Sequence, residues 1–342
     1  MTASVINRAG TILAHYVAEY APRRIEIPPE TGGFSGAEIV QVECPAGFFC
    51  LRHWPDRALP KKRILGLHRL LKTIHVDGVT QVAVPVASLE GSTLLDVAGQ
   101  FWQLEPWMPG RADFLANPSR ERLASAMNCL SRWHTAAKRF QPQPSEGEWF
   151  SSQVGKSPAV SERLARIDDW HSGRLDHLRT ALHRDHSSPF TELGQEIASL
   201  FTAVSPTVAD ELRSLTQTEF ELQPCLRDVW HDHLLFTGNE VTGLIDPAAC
   251  RTENIATDLS RLLGSLVGDD VAEWDFALEC YSQHRHLSHA EHQLIGAIDR
   301  SGVLLSGMTW LDRIFLKHAR LARPDAVAVR LEGIHNRLRR LV

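Results

Sequence analysis

Residues 226–236 read Leu226-Arg227-Asp228-Val229-Trp230-His231-Asp232-His233-Leu234-Leu235-Phe236, and Leu244-Ile245-Asp246 follows a Thr-Gly-Asn-Glu turn. The apolar run at 234–236, the glycine-containing turn and Val241-Thr242-Gly243-Leu244-Ile245 predict a small hairpin over 233–246. A carboxylate stands at each end: Asp228 in the loop that enters the hairpin, Asp246 where the second strand closes. Phosphoryl transfer needs one carboxylate to orient or deprotonate an acceptor hydroxyl, and further ligands to hold magnesium on the β and γ phosphates. A loop of the form Arg-Asp-x-x-x-x-Asn supplies the first carboxylate and one metal ligand, and an Asp after the next hairpin supplies the other. Here His233 stands where that loop carries Asn. The spacing points to Asp228 as the catalytic carboxylate, with Asp246 and His233 at the metal.

Beyond the hairpin the apolar periodicity is helical. Leu123, Met127, Leu130 and Trp133 share a stripe over 119–139, and 190–203, 255–267, 271–284, 289–304 and 325–341 read the same way. Low-apolar connectors lie at 141–160 and near 183–189, and only 233–246 breaks the helical pattern. Before Pro106 the character differs. Runs at 34–42, 47–54, 79–86 and 101–105 read as strands around one amphipathic helix at 61–75, which carries Ile64, Leu67, Leu70, Leu71 and Ile74. The outline is α+β and bilobal: a small antiparallel-sheet lobe over 1–105, then a larger helical lobe over 106–342.

These motifs resemble the aminoglycoside phosphotransferase and choline kinase superfamily, which includes homoserine kinases of the protein-kinase-like type. The family pattern is roughly His-Gly-Asp, four residues, Asn, and a hairpin ending in Ile-Asp or Leu-Asp. An Asp-Leu opening a core helix comes later, matched here by Asp258-Leu259. Gly32-Gly33-Phe34-Ser35-Gly36 sits where a glycine loop covers the phosphates, and Leu51-Arg52 matches the strand bearing a phosphate-binding Lys. Leu104-Glu105-Pro106-Trp107-Met108-Pro109-Gly110 looks like the hinge between lobes, and Leu130-Ser131-Arg132-Trp133-His134 like the family's helix ending in Leu-x-x-x-His. The resemblance spans roughly residues 30 to 320, and its most specific part is 226–259. It implies a protein-kinase-like fold that uses ATP and magnesium. Gly33, Ser35, Gly36 and Arg52 would then hold the phosphates, with adenine against the backbone of Glu105 and Trp107. Asp246 and His233 would hold magnesium, and Asp228 would orient a hydroxyl of a small acceptor molecule.

The chain departs from that pattern at His233 for Asn, Arg52 for Lys and Leu226 for His, and the helix at 61–75 contains no Glu to pair with the strand cation. Imidazole nitrogen is a poor ligand for a hard cation, whereas Arg keeps the charge and grips phosphate as a fork. These departures leave open a second reading, a kinase-like protein that binds nucleotide or acts as a scaffold without turnover. A third is a zinc site, since His231 and His233 would share one face of an extended strand; no third ligand has the matching spacing. Asp258 reads as a helix N-cap or as a partner that holds the catalytic loop. No Gly-x-Ser-x-Gly elbow or complete Gly-x-x-x-x-Gly-Lys-Ser phosphate loop occurs.

Composition narrows the partners. The 342 residues are 43% hydrophobic and 23% charged, an ordinary globular balance, and the net charge of −5 gives no general attraction to nucleic acid or anionic membrane. Arg337, Arg339 and Arg340 read as the solvated face of a last helix. No run of about 18 apolar residues occurs. The N-terminal residues lack the apolar core of a secretory signal. The six cysteines form no Cys-x-x-Cys pair, which suits buried reduced thiols and a cytoplasmic setting.

Overall fold

The computed structural model describes residues 2–28, 38–55, 59–185, 187–321 and 323–342. Its first third contains α1 (Thr2–Leu13), β1 (Arg24–Glu26), β2 (Glu38–Cys44), β3 (Gly47–His53), α2 (Lys61–Val76), β4 (Leu95–Val97) and β5 (Gln100–Pro106). The five strands form one antiparallel sheet in the order β1-β2-β3-β5-β4. Side chains alternate faces along a strand, and the register sorts them by chemistry. Leu51 lies between Val40 and Leu104. With Val42 and Trp102 they pack on Ala9, Ile12, Leu13 and Tyr16 of the N-terminal segment. The opposite face of β3 and β5 carries Cys50, Arg52, Gln103 and Glu105, paired as Cys50 with Glu105 and Arg52 with Gln103.

The expected helix appears as α2, but its apolar stripe does not pack with the α1 layer. Ile64, Leu67, Leu70, Leu71 and Ile74 join the larger core with Leu123, Met127, Leu130 and Trp133 of α3 (Arg120–Lys138). Truncating such a buried Leu or Ile costs about 2–5 kcal/mol, so α2 is anchored to the helical part of the molecule.

After α3 come β6 (Gln153–Lys156), α4 (Pro158–Asp169), α5 (Leu175–Arg184), α6 (Thr191–Ser214), β7 (Glu219–Cys225), β8 (Leu234–Thr237), β9 (Glu240–Leu244) and β10 (Arg251–Glu253). Helices α7 (Ala256–Leu266), α8 (Val271–Ser282), α9 (His289–Leu311) and α10 (Pro324–Arg339) complete the chain. The hairpin is β8 paired with β9. A second, three-stranded sheet of order β10-β7-β6 also interrupts the helices, contrary to the expectation of a single hairpin. Its middle strand, Glu-Phe-Glu-Leu-Gln-Pro-Cys, opens with the polar-apolar alternation of a strand.

Three further expectations are corrected. The run at 79–86 forms no strand and makes only an isolated bridge between Val82 and Leu244. Pro85 has no N–H for a ladder, and the segment instead ties Gln81 O to the Leu244 amide at 2.7 Å and the Val86 amide to Leu104 O at 2.8 Å. Arg337 is not solvated: it bridges Asp269 at 2.6 Å and Asp299 at 2.7 Å, docking α10 on α9. His231–His233 forms a 3-10 turn, not a strand. The part of the expected strand at 34–37 lies outside the described residues. All six cysteines are buried free thiols, and no helix among the described residues is long and apolar enough to cross a membrane.

Candidate active site

The loop after β7 is held from beneath. Asp258, fully buried in the first turn of α7, accepts hydrogen bonds from the amides of Leu226 at 2.7 Å and Arg227 at 2.5 Å. His134 Nε2 lies 2.9 Å from the same carboxylate, and His134 Nδ1 lies 2.7 Å from the Tyr281 hydroxyl. A carboxylate can only accept, so Nε2 carries the proton. Burial lowers the His134 pKa against the pull of Asp258, and the neutral ring leaves Nδ1 to accept from Tyr281. Asp258 is therefore the partner that holds the loop; the α7 N-terminus is capped instead by Asn254 Oδ1, which accepts from the Ala256 amide at 2.8 Å.

Arg227 has φ +64°, in the left-handed region that costs a residue with a Cβ roughly 1–2 kcal/mol. The resembled family carries Gly at this place, and here the two bonds to Asp258 offset the strain. The next side chain, Asp228, turns into solvent, and its Oδ1 accepts from Arg261 Nε at 3.2 Å and Nη2 at 3.1 Å.

The second cluster forms where β3 faces the end of the hairpin. Arg52 Nη1 donates to Asp246 Oδ1 at 3.0 Å, and Arg52 Nε lies 3.5 Å from Glu105 Oε1. Burial alone would lower the Arg52 pKa, but the carboxylates of Glu105 and Asp246 outweigh it and drive the value up. Burial raises the Glu105 pKa against the pull of Arg52. Gln103 Nε2 donates to Glu105 Oε2 at 2.6 Å, while Gln103 Oε1 accepts from Trp54 Nε1 at 2.7 Å and lies 2.8 Å from His68 Nε2. An acceptor oxygen at that spot places the proton on Nε2, and His68 Nδ1 then accepts from the Thr93 hydroxyl at 2.8 Å. Glu105, which pairs with Arg52, is thus fixed by a hydrogen-bonded chain that runs back into α2.

Asp246 itself has φ +55° and ψ +57°, a second left-handed residue with a Cβ. Its Oδ2 lies 3.9 Å from His233 Nε2. That nitrogen already accepts the Trp230 indole N–H at 2.8 Å, and burial lowers the His233 pKa more than Asp246 raises it. His233 is a neutral ring whose nearest nitrogen is occupied by an indole. The donor set that faces the cleft fits a magnesium ion through one hard carboxylate oxygen of Asp246. Such an ion keeps several waters and takes its other ligands from phosphate.

The structure thus brings Arg52, Glu105, Asp246 and His233 into one cluster, with Asp228 on the same loop as His233. Trp107 directly follows β5, and its backbone N–H donates to Phe48 O at 3.0 Å. Gly33, Ser35 and Gly36 lie outside the described residues. The side-chain role of Glu105, the support from Gln103 and His68, and the partner Arg261 were not legible: the carboxylate was sought on α2, and it comes from the adjacent strand. The 3-10 turn removes the shared face on which a zinc site at His231 and His233 depended. Among the described residues the group with metal-like spacing is His134, Cys225 and Asp258, all buried and bonded as above, with Cys225 Sγ donating to Glu253 O at 3.3 Å.

The sequence model of the phosphotransferase enzyme family matches residues 29–286. No curated protein matches the chain. Solved structures with the same fold include an amicoumacin kinase in complex with AMP-PNP, Ca2+ and Ami (15% identity, TM-score 0.64, 99% of this chain and 97% of that one). A spectinomycin phosphotransferase in complex with ADP and spectinomycin aligns over 98% of this chain and 93% of its own (12% identity, TM-score 0.67). A microcompartment-associated aminopropanol kinase aligns over 98% and 97% respectively (15% identity, TM-score 0.66). At these identities the likeness is one of fold.

Proposed function

The chain belongs to the phosphotransferase enzyme family, and from that premise we propose that it moves the γ-phosphoryl group of ATP to a hydroxyl of a small molecule. The observation that carries this reading is the meeting of Arg52 and Asp246 at 3.0 Å, with the Asp228 loop beside them. A buried cation and a metal-suited carboxylate meet next to His233, whose loop also bears a solvent-facing carboxylate. Residues 1–105 act as the nucleotide-covering lobe, and 106–342 carry the acceptor and the loop. Phosphate takes over the Arg52 fork, and adenine lies against the segment of Glu105 and Trp107. Gly33, Ser35 and Gly36 contribute to binding the phosphates. Asp246 would hold magnesium, which would supply charge neutralisation at the phosphates. His233, through its bond to Trp230, shapes the wall beside it. The setting is cytoplasmic, where the six thiols stay reduced.

In the reaction the acceptor oxygen forms a bond to the γ phosphorus while the bond from that phosphorus to the β,γ-bridging oxygen breaks. The hydroxyl proton passes to Asp228 and then to solvent, and ADP leaves with the bridging oxygen and its electron pair. Asp228 is suited to this because its amide neighbours are fixed by Asp258 and its carboxylate is steered by Arg261.

Two measurements test the proposal. A ligand at 100 times its dissociation constant adds about 2.7 kcal/mol of stability, so millimolar Mg·ATP raises the melting temperature of the wild type, and Arg52→Ala removes most of the gain. Asp228→Asn leaves ATP binding within a few-fold and reduces acceptor-dependent ADP release by at least about a hundredfold. Unchanged melting with Mg·ATP overturns the reading. Mg·ATP binding without turnover for any hydroxyl acceptor replaces it with a nucleotide-binding protein.

A further inference from the structure

The side of the loop where Asp228 opens to solvent is cationic and aromatic. The guanidinium carbon of Arg261, whose Nε and Nη2 reach Asp228, stands 6.0 Å from the centre of the Trp230 ring. Arg330 of α10 approaches the same ring at 4.9 Å and the buried Trp310 at 5.9 Å. The Trp230 indole is itself pinned by its N–H bond to His233.

Arg330 differs from the other arginines around the loop. Arg227 pairs with Glu162 and Arg261 with Asp228, whereas Arg330 makes no ion pair and no hydrogen bond among the described residues. Burial first, then the charge of Arg261, pushes its pKa down; Asp228 and Asp232 pull the other way, from beyond ion-pair distance. The guanidinium lies within cation–π reach of two indoles, while its five N–H donors find no acceptor among the described residues. A half-buried, preorganised and unpartnered fork of this kind matches a carboxylate or phosphate in geometry and charge.

We propose that the acceptor is a hydroxylated anion, a carboxylate or phosphate ester whose charged end is gripped by Arg330 on the Trp230 ring while its hydroxyl reaches Asp228. The proposal rests on the phosphotransferase reading and specifies its substrate class. Arg261 contributes charge to the same wall and keeps Asp228 turned towards it. A cationic acceptor such as an amino alcohol would place like charge against Arg330 and Arg261 with only Asp232 and the already paired Asp228 to balance it.

The test uses the full chain with Mg·ATP and three arms of acceptor: glycerate for the carboxylate, glycerol 3-phosphate for the phosphate, and choline with 1-amino-2-propanol for the cation. ADP release is expected in at least one anionic arm and in neither cationic compound. Arg330→Met lowers kcat/KM for the active anion by at least about tenfold, while the melting shift with Mg·ATP is retained. Arg330→Lys, which keeps the charge, recovers part of the loss. Calorimetric titration of both anions decides the matter if turnover is slow: binding that needs Arg330 supports the proposal. Turnover in the cationic arm, anion kinetics indifferent to Arg330→Met, or no Arg330-dependent binding of either anion overturns it. Loss of the Mg·ATP melting shift in the wild type would instead count against the phosphotransferase reading, which the anion titration does not depend on.

Discussion

Arg52 on β3 meets Glu105 on β5 with Nε 3.5 Å from Oε1, so the cation of the cleft takes its carboxylate from the adjoining strand and not from helix α2. Helix α2 contributes instead through His68, which fixes Gln103, which in turn fixes Glu105. The strand residue therefore keeps its direction even though the helix carries no acid.

Removing that carboxylate should loosen the arginine and leave it to Asp246. Glu105→Gln is expected to cost about 3 kcal/mol of stability, as the breaking of a buried pair does, and to weaken Mg·ATP about tenfold. Chemical denaturation and a calorimetric ATP titration measure the two effects. Unaltered ATP affinity would restrict the pair to a structural role.

His233 offers a separate test, because its near nitrogen accepts the Trp230 N–H. His233→Asn restores an oxygen donor at this place, and oxygen suits magnesium better than imidazole does. The variant is expected to need several-fold less magnesium for half-maximal ADP release. Superimposable metal titrations for the two proteins would show that position 233 stands outside the coordination shell even when it carries an oxygen donor.

Asp258 predicts a coupled loss. It accepts from two loop amides and from His134, so Asp258→Asn sets an amide N–H₂ against donors or leaves them unpaired, at a cost of at least about 2 kcal/mol. The loop would then fail to hold Arg227 at positive φ. Turnover should fall at least about tenfold at saturating ATP, with ATP affinity little changed. Full activity in a destabilised variant would show that the loop finds its shape without this anchor.

Acid should weaken the fold partly through His68, whose pKa burial lowers to about 4, helped by the charge of Arg52 and opposed by the bond to Gln103. The unfolded chain takes up a proton near the ordinary value of about 6.5, whereas the folded chain refuses it until about pH 4. Stability is therefore whole above pH 6.5 and declines as pH falls towards 4, by on the order of 3 kcal/mol for this residue. His68→Gln keeps a donor and an acceptor but does not titrate. Between pH 7 and pH 5 it should lose about 2 kcal/mol less than the wild type; equal losses in denaturant melts would remove His68 from the acid response.

Much of this architecture is written locally. The helical stripe of Ile64, Leu67, Leu70, Leu71 and Ile74, the alternation in β2, the aromatic-rich run of β3, the glycine turn of the β8–β9 hairpin and the spacing of Asp228, His233 and Asp246 each depend on near neighbours. Periodicity and turn chemistry express such features within about a dozen residues, so the class of fold and the loop carrying the carboxylates follow from sequence by itself. The partners of those residues do not. Glu105 reaches Arg52 only because the register sets Cys50 opposite Glu105 and Arg52 opposite Gln103. Asp258 holds the loop only because α7 begins beneath it, and Arg330 lies over Trp230 only because Arg337, bridging Asp269 and Asp299, docks α10 on α9. Ion pairs, stacked rings and buried hydrogen bonds act over a few ångströms between segments far apart in the chain. Their membership is decided by sheet register and helix packing, which no window of sequence contains.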